Sequence, residues 1–143
     1  MRLRIYATIW LLVAIAAAAL LSSNLRMYAT LADSGVKSQG IIIRTEPMNH
    51  ELVFYSYQVG GVSYQGADNV GLGNPNFAAL SLGEFLMIYY LPSNPRISIL
   101  GEPAAKLKNE IIFVSMVTLF APTFIVCIFA ISRKQLLDRI YDY

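Results

Sequence analysis

The spacing of apolar residues divides this chain into three parts. From Ile5 to Leu25 no residue carries a charge, and the same holds from Ile111 to Ser132. Each run reaches the roughly 20 residues, at ~1.5 Å rise each, that a helix needs to cross a hydrocarbon layer about 30 Å thick. Between them the pattern breaks into short runs of Ile, Val, Tyr and Phe separated by Gly, Pro and Asn. That spacing belongs to short strands and tight turns. The pattern predicts an α+β membrane protein in which two transmembrane helices flank a small all-β module. Residues 1–35 form the first helix with an extension, 36–103 the β-rich module, and 104–143 the second helix with a tail.

The first run reads as an uncleaved anchor. Arg2 and Arg4 precede it, but Ile5–Leu21 outruns the about 7–15 residues of a signal-peptide core, and no small-x-small cleavage site follows promptly. Tyr6 and Trp10 fall in its first turns, where amphipathic rings favour the membrane interface. Leu25, Tyr28 and Leu31 recur at every third position, so the helix is expected to continue with one apolar side until Asp33-Ser34-Gly35 ends it. In the second run, Pro122 removes a backbone donor and frees the carbonyl of Thr118, which makes it a hinge candidate or a tolerated membrane proline. Neither run contains Asp, Glu, Lys, Arg or His. Ion and proton pathways are normally marked by such residues, which argues against a stand-alone channel or transporter. Arg2 and Arg4 at one end, and Arg133, Lys134 and Arg139 at the other, place both termini in the cytoplasm. The β module then faces the periplasm or the cell exterior, and the chain sits in the plasma (inner) membrane as a two-pass protein. The tail Leu136 to Tyr143 reads as a helical end at the cytoplasmic surface.

Within the module, Gly40–Thr45 predicts a first strand, closed by Glu46-Pro47-Met48-Asn49. Leu52–Val59 predicts a second, with Val53, Tyr55, Tyr57 and Val59 on one face. Gly60-Gly61 is a hairpin signal, since a type I′ turn needs positive φ at both positions. It sets Val59 opposite Val62, Tyr57 opposite Tyr64, and Tyr55 opposite Gly66, so that an aromatic ring covers a glycine. Gly66–Asn76, dense in Gly and Asn, is expected to be a loop, followed by a short turn in which Phe77 and Leu80 pack onto the sheet. Phe85–Leu91 is nearly all apolar and reads as a strand buried on both faces. Pro92–Pro95 is a turn, Arg96–Leu100 a last strand, and Gly101-Glu102-Pro103 the exit to the second helix. Five strands in so short a span imply a small barrel or a curled sheet.

The order of an apolar anchor, the Gly40-Ile41-Ile42-Ile43 strand, the Tyr55–Tyr64 hairpin, Leu82-Gly83-Glu84, then Ile88-Tyr89-Tyr90-Leu91-Pro92-Ser93-Asn94-Pro95 and a second anchor resembles a family of small, mostly bacterial membrane proteins of unknown function. In that family an acidic residue follows the tyrosine pair and the hairpin usually carries Asp-Gly. Leu91 and Gly60 stand in those places here. The resemblance implies two transmembrane helices around a β-rich domain and carries over no catalytic residue.

Composition narrows the function classes. With 56% hydrophobic and 14% charged residues and a net charge of +2, the chain lacks the basic field expected of a nucleic-acid binder. Cys127 is the sole cysteine, so no internal disulfide forms. Glu46, His50 and Glu51 flank one turn, yet a single histidine without a partner at ligand spacing makes no metal motif. No nucleophile elbow or phosphate loop occurs, so no catalytic residue, metal or cofactor is expected. The tyrosines stand out. Tyr55, Tyr57, Tyr64, Tyr89 and Tyr90 all fall in predicted strands, either as a packed β surface or as a partner-binding face, with the loop Asp68–Asn76 and the neighbouring Phe77 and Leu80 as a second contact. The expected function is non-enzymatic. A membrane-anchored β module binds another protein, as an accessory subunit or an immunity-type protein, or associates with its own copies. The alternative is a sensor of a lipid, glycan or small solute, for which a tyrosine-lined pocket of several hundred Å³ would speak.

Overall fold

The computed structural model describes residues 2–141, with side chains placed for 4–22 and 24–132. Its helices are α1 (Arg2–Leu21), α2 (Ser23–Ser34) and α3 (Pro103–Tyr141). Its strands are β1 (Val36–Glu46), β2 (Leu52–Val59), β3 (Val62–Asn69), β4 (Phe85–Leu91) and β5 (Asn94–Leu100), with a 3-10 turn at Phe77–Ala79. Asp142 and Tyr143, at the end of the expected tail, lie outside the described residues. The chain divides into two compact units, one of Met1–Asn24 with Glu110–Tyr143 and one of Leu25–Asn109. The extension α2 and the first residues of α3 therefore belong with the strands.

In the helical unit, Arg4–Leu21 and Pro103–Ser132 contain windows of mean hydropathy 2.0 and 2.5, and both are long and apolar enough to cross a membrane. The two helices meet through specific contacts. The Trp10 indole N–H donates to the Thr123 hydroxyl at 3.1 Å, and that hydroxyl donates to the Leu119 carbonyl at 2.7 Å. Tyr6 stands edge-on to Phe129 with ring centroids 6.2 Å apart. Helix α3 runs without interruption through the buried Pro122. The first helix does not continue directly into its extension. It breaks at Ser22, whose hydroxyl donates to the Ala19 carbonyl and so competes with the helix ladder. Beyond the break, Leu31 is the most deeply buried residue of α2, in line with its expected apolar side.

The five strands form one antiparallel sheet in the order β3-β2-β1-β4-β5, and it curls until β3 lies against β5. The hairpin register is the expected one: Val59 pairs with Val62, Tyr57 with Tyr64 and Tyr55 with Gly66. Gly60 and Gly61 take φ values of 57° and 81°, as a type I′ turn demands. Three boundaries differ from the sequence expectation. Strand β1 begins at Val36 because Val36–Gln39 already pair with Tyr90–Met87 of β4. Strand β3 continues to Asn69, so Gly66–Asn69 are ladder residues opposite Tyr55–Leu52 rather than loop. Strand β5 begins at Asn94, which leaves Pro92-Ser93 as the turn. Strand β4 is also not buried on both faces. Phe85 is 64% exposed while Leu86 and Ile88 are buried, since a sheet curled on itself encloses only its inner side. A register shift between Ile42 and Arg44 leaves Ile43 without a partner on β2, the local kink that helps a strand bend around a barrel.

Ile42, Val53, Tyr55, Tyr57, Leu86, Ile88 and Leu100 fill the interior, flanked by half-buried Val59, Tyr64, Val70, Phe77, Leu80 and Tyr90. Each large side chain taken fully from water contributes about 1.5–3 kcal/mol. Tyr55 is the most tightly held of them. A Cβ built on Gly40 would lie 3.4 Å from its ring, and one on Gly66 would lie 2.5 Å from it, so glycines on both flanking strands leave room for one phenol. Gly66→Ala is expected to destabilise the full-length protein by about 1–3 kcal/mol through overpacking. Thermal unfolding in detergent checks this against Tyr55→Leu. The double variant should cost less than the sum of the single ones, whereas additive costs would show that the ring does not press on Gly66.

Candidate interaction surfaces of the β module

The tyrosines line the interior. Tyr57 sits at the centre of an aromatic stack, 5.9 Å from Tyr55, 5.8 Å from Tyr64 and 6.0 Å from Tyr90 between ring centroids. Tyr55 is fully buried and Tyr57 is 3% exposed. Burial withdraws Tyr55 from contact with a partner, while Tyr57 reaches the surface only at the floor of a cleft on the outer wall. Tyr64 and Tyr90 are half-buried against them, as are Phe77 and Leu80. Tyr89, on the alternate face of β4, is half-buried and lies outside this cluster.

The phenol hydroxyls reach across the barrel. Tyr55 Oη and Ser98 Oγ share a hydrogen bond at 2.9 Å, and Tyr57 O–H donates to the Pro95 carbonyl. Both links end on β5, although β2 and β5 lie in different parts of the sheet order. A third link comes from Asp68, whose Oδ2 accepts from the Leu100 backbone N–H at 2.9 Å and from Lys106 Nζ at 2.5 Å. Lys106 also donates to the Asn69 carbonyl at 2.9 Å. The seam between β3 and β5 is thus joined by side chains, including one from the first turns of α3. Sequence reasoning placed Asp68 in a loop, as part of a contact candidate, and gave it no structural role. The signal that could have revealed it is the register set by Gly60-Gly61, which runs the strand on through Asp68 opposite Val53.

Two surfaces remain open. On the outer wall, Ile41 and Phe85 are register partners on β1 and β4 and are 40% and 64% exposed. Ile43, on the bulge, is 43% exposed. Ile41 and Phe85 border a shallow cleft of about 270 Å³ shared with Gln39, Ser56, Tyr57, Gln58 and Ser63. Ile41, Ile43 and Phe85 alternate with the core residues of the same strands, so the expectation of a single tyrosine face passed over them. The run Ile41-Ile42-Ile43 held the signal, because consecutive large apolar residues on one strand must leave some outside.

The second surface is a pocket of about 470 Å³ lined by Glu51, by Val70–Asn74 and by Asn76, Phe77 and Ala78. Its walls are braced. The Asn74 amide takes the place of a strand, accepting from the Met87 N–H at 2.6 Å and donating to the Met87 carbonyl at 2.9 Å. Glu102 N–H donates to the Leu72 carbonyl at 3.0 Å, and Gly71 packs closely against Leu100 and Gly101. On the other side, His50 and Glu51 hold left-handed φ values of 52° and 57°, and the Asn69 amide donates to the His50 carbonyl. No tyrosine lines this pocket. Glu46, His50 and Glu51 do not converge, and among the described residues no group of three His, Cys, Asp or Glu side chains is placed to hold a metal ion.

The chain matches no protein-family model, no curated protein and no solved structure.

Burial pushes the Tyr55 hydroxyl well above the ordinary tyrosine value of 10.0, with Asp68 and Tyr57 adding to the rise and the Ser98 bond offsetting part of it. Tyr57 is raised as well, again chiefly by burial. A phenol whose pKa is higher folded than unfolded contributes stability that is complete below the unfolded value and lost as pH climbs towards the folded one. The β module is therefore expected to hold its stability up to about pH 10 and to lose it progressively above. Tyr55→Phe should make that alkaline loss shallower, as measured by thermal unfolding between neutral and alkaline pH.

Proposed function

We propose that this chain is a non-enzymatic, membrane-anchored binding protein whose β module docks another protein, as an accessory subunit or an immunity-type partner. The observation that carries this reading is the row of Ile41, Ile43 and Phe85 on the outer wall, exposed side by side while the core of the same strands is complete without them. Apolar side chains grouped beside polar Gln39, Ser56, Gln58 and Ser63 have the composition of an interface centre with a polar rim. A second copy of the chain is the other occupant such a wall fits. The two apolar helices are the anchors, in the plasma (inner) membrane, with both termini cytoplasmic and the β module on the periplasmic or extracellular side. Pro122 serves this reading as a hinge in the second anchor.

Mild-detergent purification of the tagged full-length protein from its native membrane, followed by mass spectrometry, tests the docking. A stoichiometric partner should be retained by the control Met48→Ser, whose side chain is fully exposed elsewhere, and lost by Ile41→Ser with Phe85→Ser at unchanged thermal stability. A partner that survives the double substitution would remove the outer wall from the reading. Topology is checked separately with Cys127→Ser and Met48→Cys. An impermeant maleimide should label Met48→Cys in intact cells, and labelling only after lysis would reverse the orientation.

A second reading, a binder of a small solute, is favoured by the braced pocket of about 470 Å³, whose size lies within the roughly 300–1,000 Å³ of small-molecule sites.

A further inference from the structure

We infer that this pocket takes an organic ammonium group, with Glu51 as its counter-ion and Leu72 and Phe77 against its apolar body; the inference rests on the solute-binding reading. Glu51 is the single charged residue of the lining. Among the described residues its carboxylate makes no hydrogen bond or ion pair, and it is exposed on the pocket's lining, where a ligand can reach it. The nearest cation is already committed. Lys106 runs beside Gly71, but its ammonium is held by Asp68 at 2.5 Å and by the Asn69 carbonyl at 2.9 Å. The remaining lining is split between apolar Val70, Leu72, Phe77 and Ala78 and neutral polar groups of Asn76 and the glycine backbone. Such walls exclude an anion, which would find a carboxylate and no cation. They suit a positive head on a hydrocarbon body, because one full charge meets one opposite charge while the rest is desolvated against carbon.

The pocket is also preorganised, which lowers the ordering cost of binding. Asn74 clamps one wall to the β4 backbone, and the Asn69 bond to His50 fixes the turn that presents Glu51. The ammonium can arrive on a free amine or on a lipid headgroup, since both offer the same chemistry.

The test uses the full chain in nanodiscs of phosphatidylglycerol, with choline as the probe and its uncharged carbon isostere 3,3-dimethyl-1-butanol as the comparison, read by saturation-transfer NMR. Choline should bind at least tenfold more tightly than the isostere. Glu51→Gln should weaken choline at least tenfold at unchanged thermal stability, and Ala78→Trp, which fills the pocket, should abolish binding. Replacing part of the lipid with phosphatidylethanolamine separates the sources: displaced choline identifies the headgroup, and undisturbed choline identifies a free amine. Equal binding of choline and isostere, lost in Ala78→Trp but indifferent to Glu51→Gln, would overturn the ammonium assignment and leave a solute pocket. No binding of either probe would overturn the solute reading itself.

Discussion

Everything in the β module is arranged around the ring of Tyr55. A phenol in the middle of a strand needs space on both sides, and the neighbouring strands supply it by placing Gly40 and Gly66 beside it. Its hydroxyl needs a partner once buried, and Ser98 on β5 supplies one at 2.9 Å. Those two requirements tie β1, β2, β3 and β5 to a single side chain. Remove the ring and Gly66 faces a void; give Gly66 a side chain and it would lie 2.5 Å from the ring. Tyr57 repeats the device one step along β2, stacking between Tyr64 and Tyr90 and bonding to the Pro95 carbonyl.

The sheet has only five strands, and it closes by bringing its two edges together. The edges β3 and β5 meet without a backbone ladder, so their approach depends on Asp68, which collects the Leu100 N–H and the Lys106 ammonium on one carboxylate oxygen. The value of this half-buried pair lies in geometry: it binds the last residue of β5 and an early turn of α3 to the end of β3. The loop that follows β3 inherits that rigidity. Gly71 lies against Gly101, and Asn74 acts as a strand for Met87, so the pocket between this loop and the Glu51 turn has braced walls.

The helical unit follows different physics. Its long apolar surfaces are left outward, and among the described residues α1 and α3 meet at an indole-to-hydroxyl hydrogen bond and an aromatic edge, specific contacts of the kind that join helices in apolar surroundings. The division of labour is then plain. The helices are long and apolar enough to cross a membrane, and the barrel presents two distinct surfaces, an apolar wall at Ile41 and Phe85 and a pocket with Glu51 in its lining.

Local rules carried far in this sequence because several of its residues permit only one conformation. The charge-free runs could only be long apolar helices, and Gly60-Gly61 dictated a two-residue turn whose register places Tyr57 against Tyr64. The same local rules misled where the fate of a residue depends on distant strands. Gly66–Asn69 looked like loop because glycine and asparagine are poor strand formers, yet Tyr55 needs a glycine there and Asp68 needs to meet β5. In β5, only the closed barrel brings Ser98 under the Tyr55 hydroxyl and Leu100 into the core. The tyrosines could be a binding face or a core until closure buried Tyr55 and Tyr57. By itself, then, the sequence determined which segments are helix and strand, where the central hairpin turns and how its strands align, because spacing and glycine chirality act over a few residues. Which face is inside, what closes the seam and where a pocket is left were decided by tertiary structure, because each depends on atoms brought together from strands far apart along the chain.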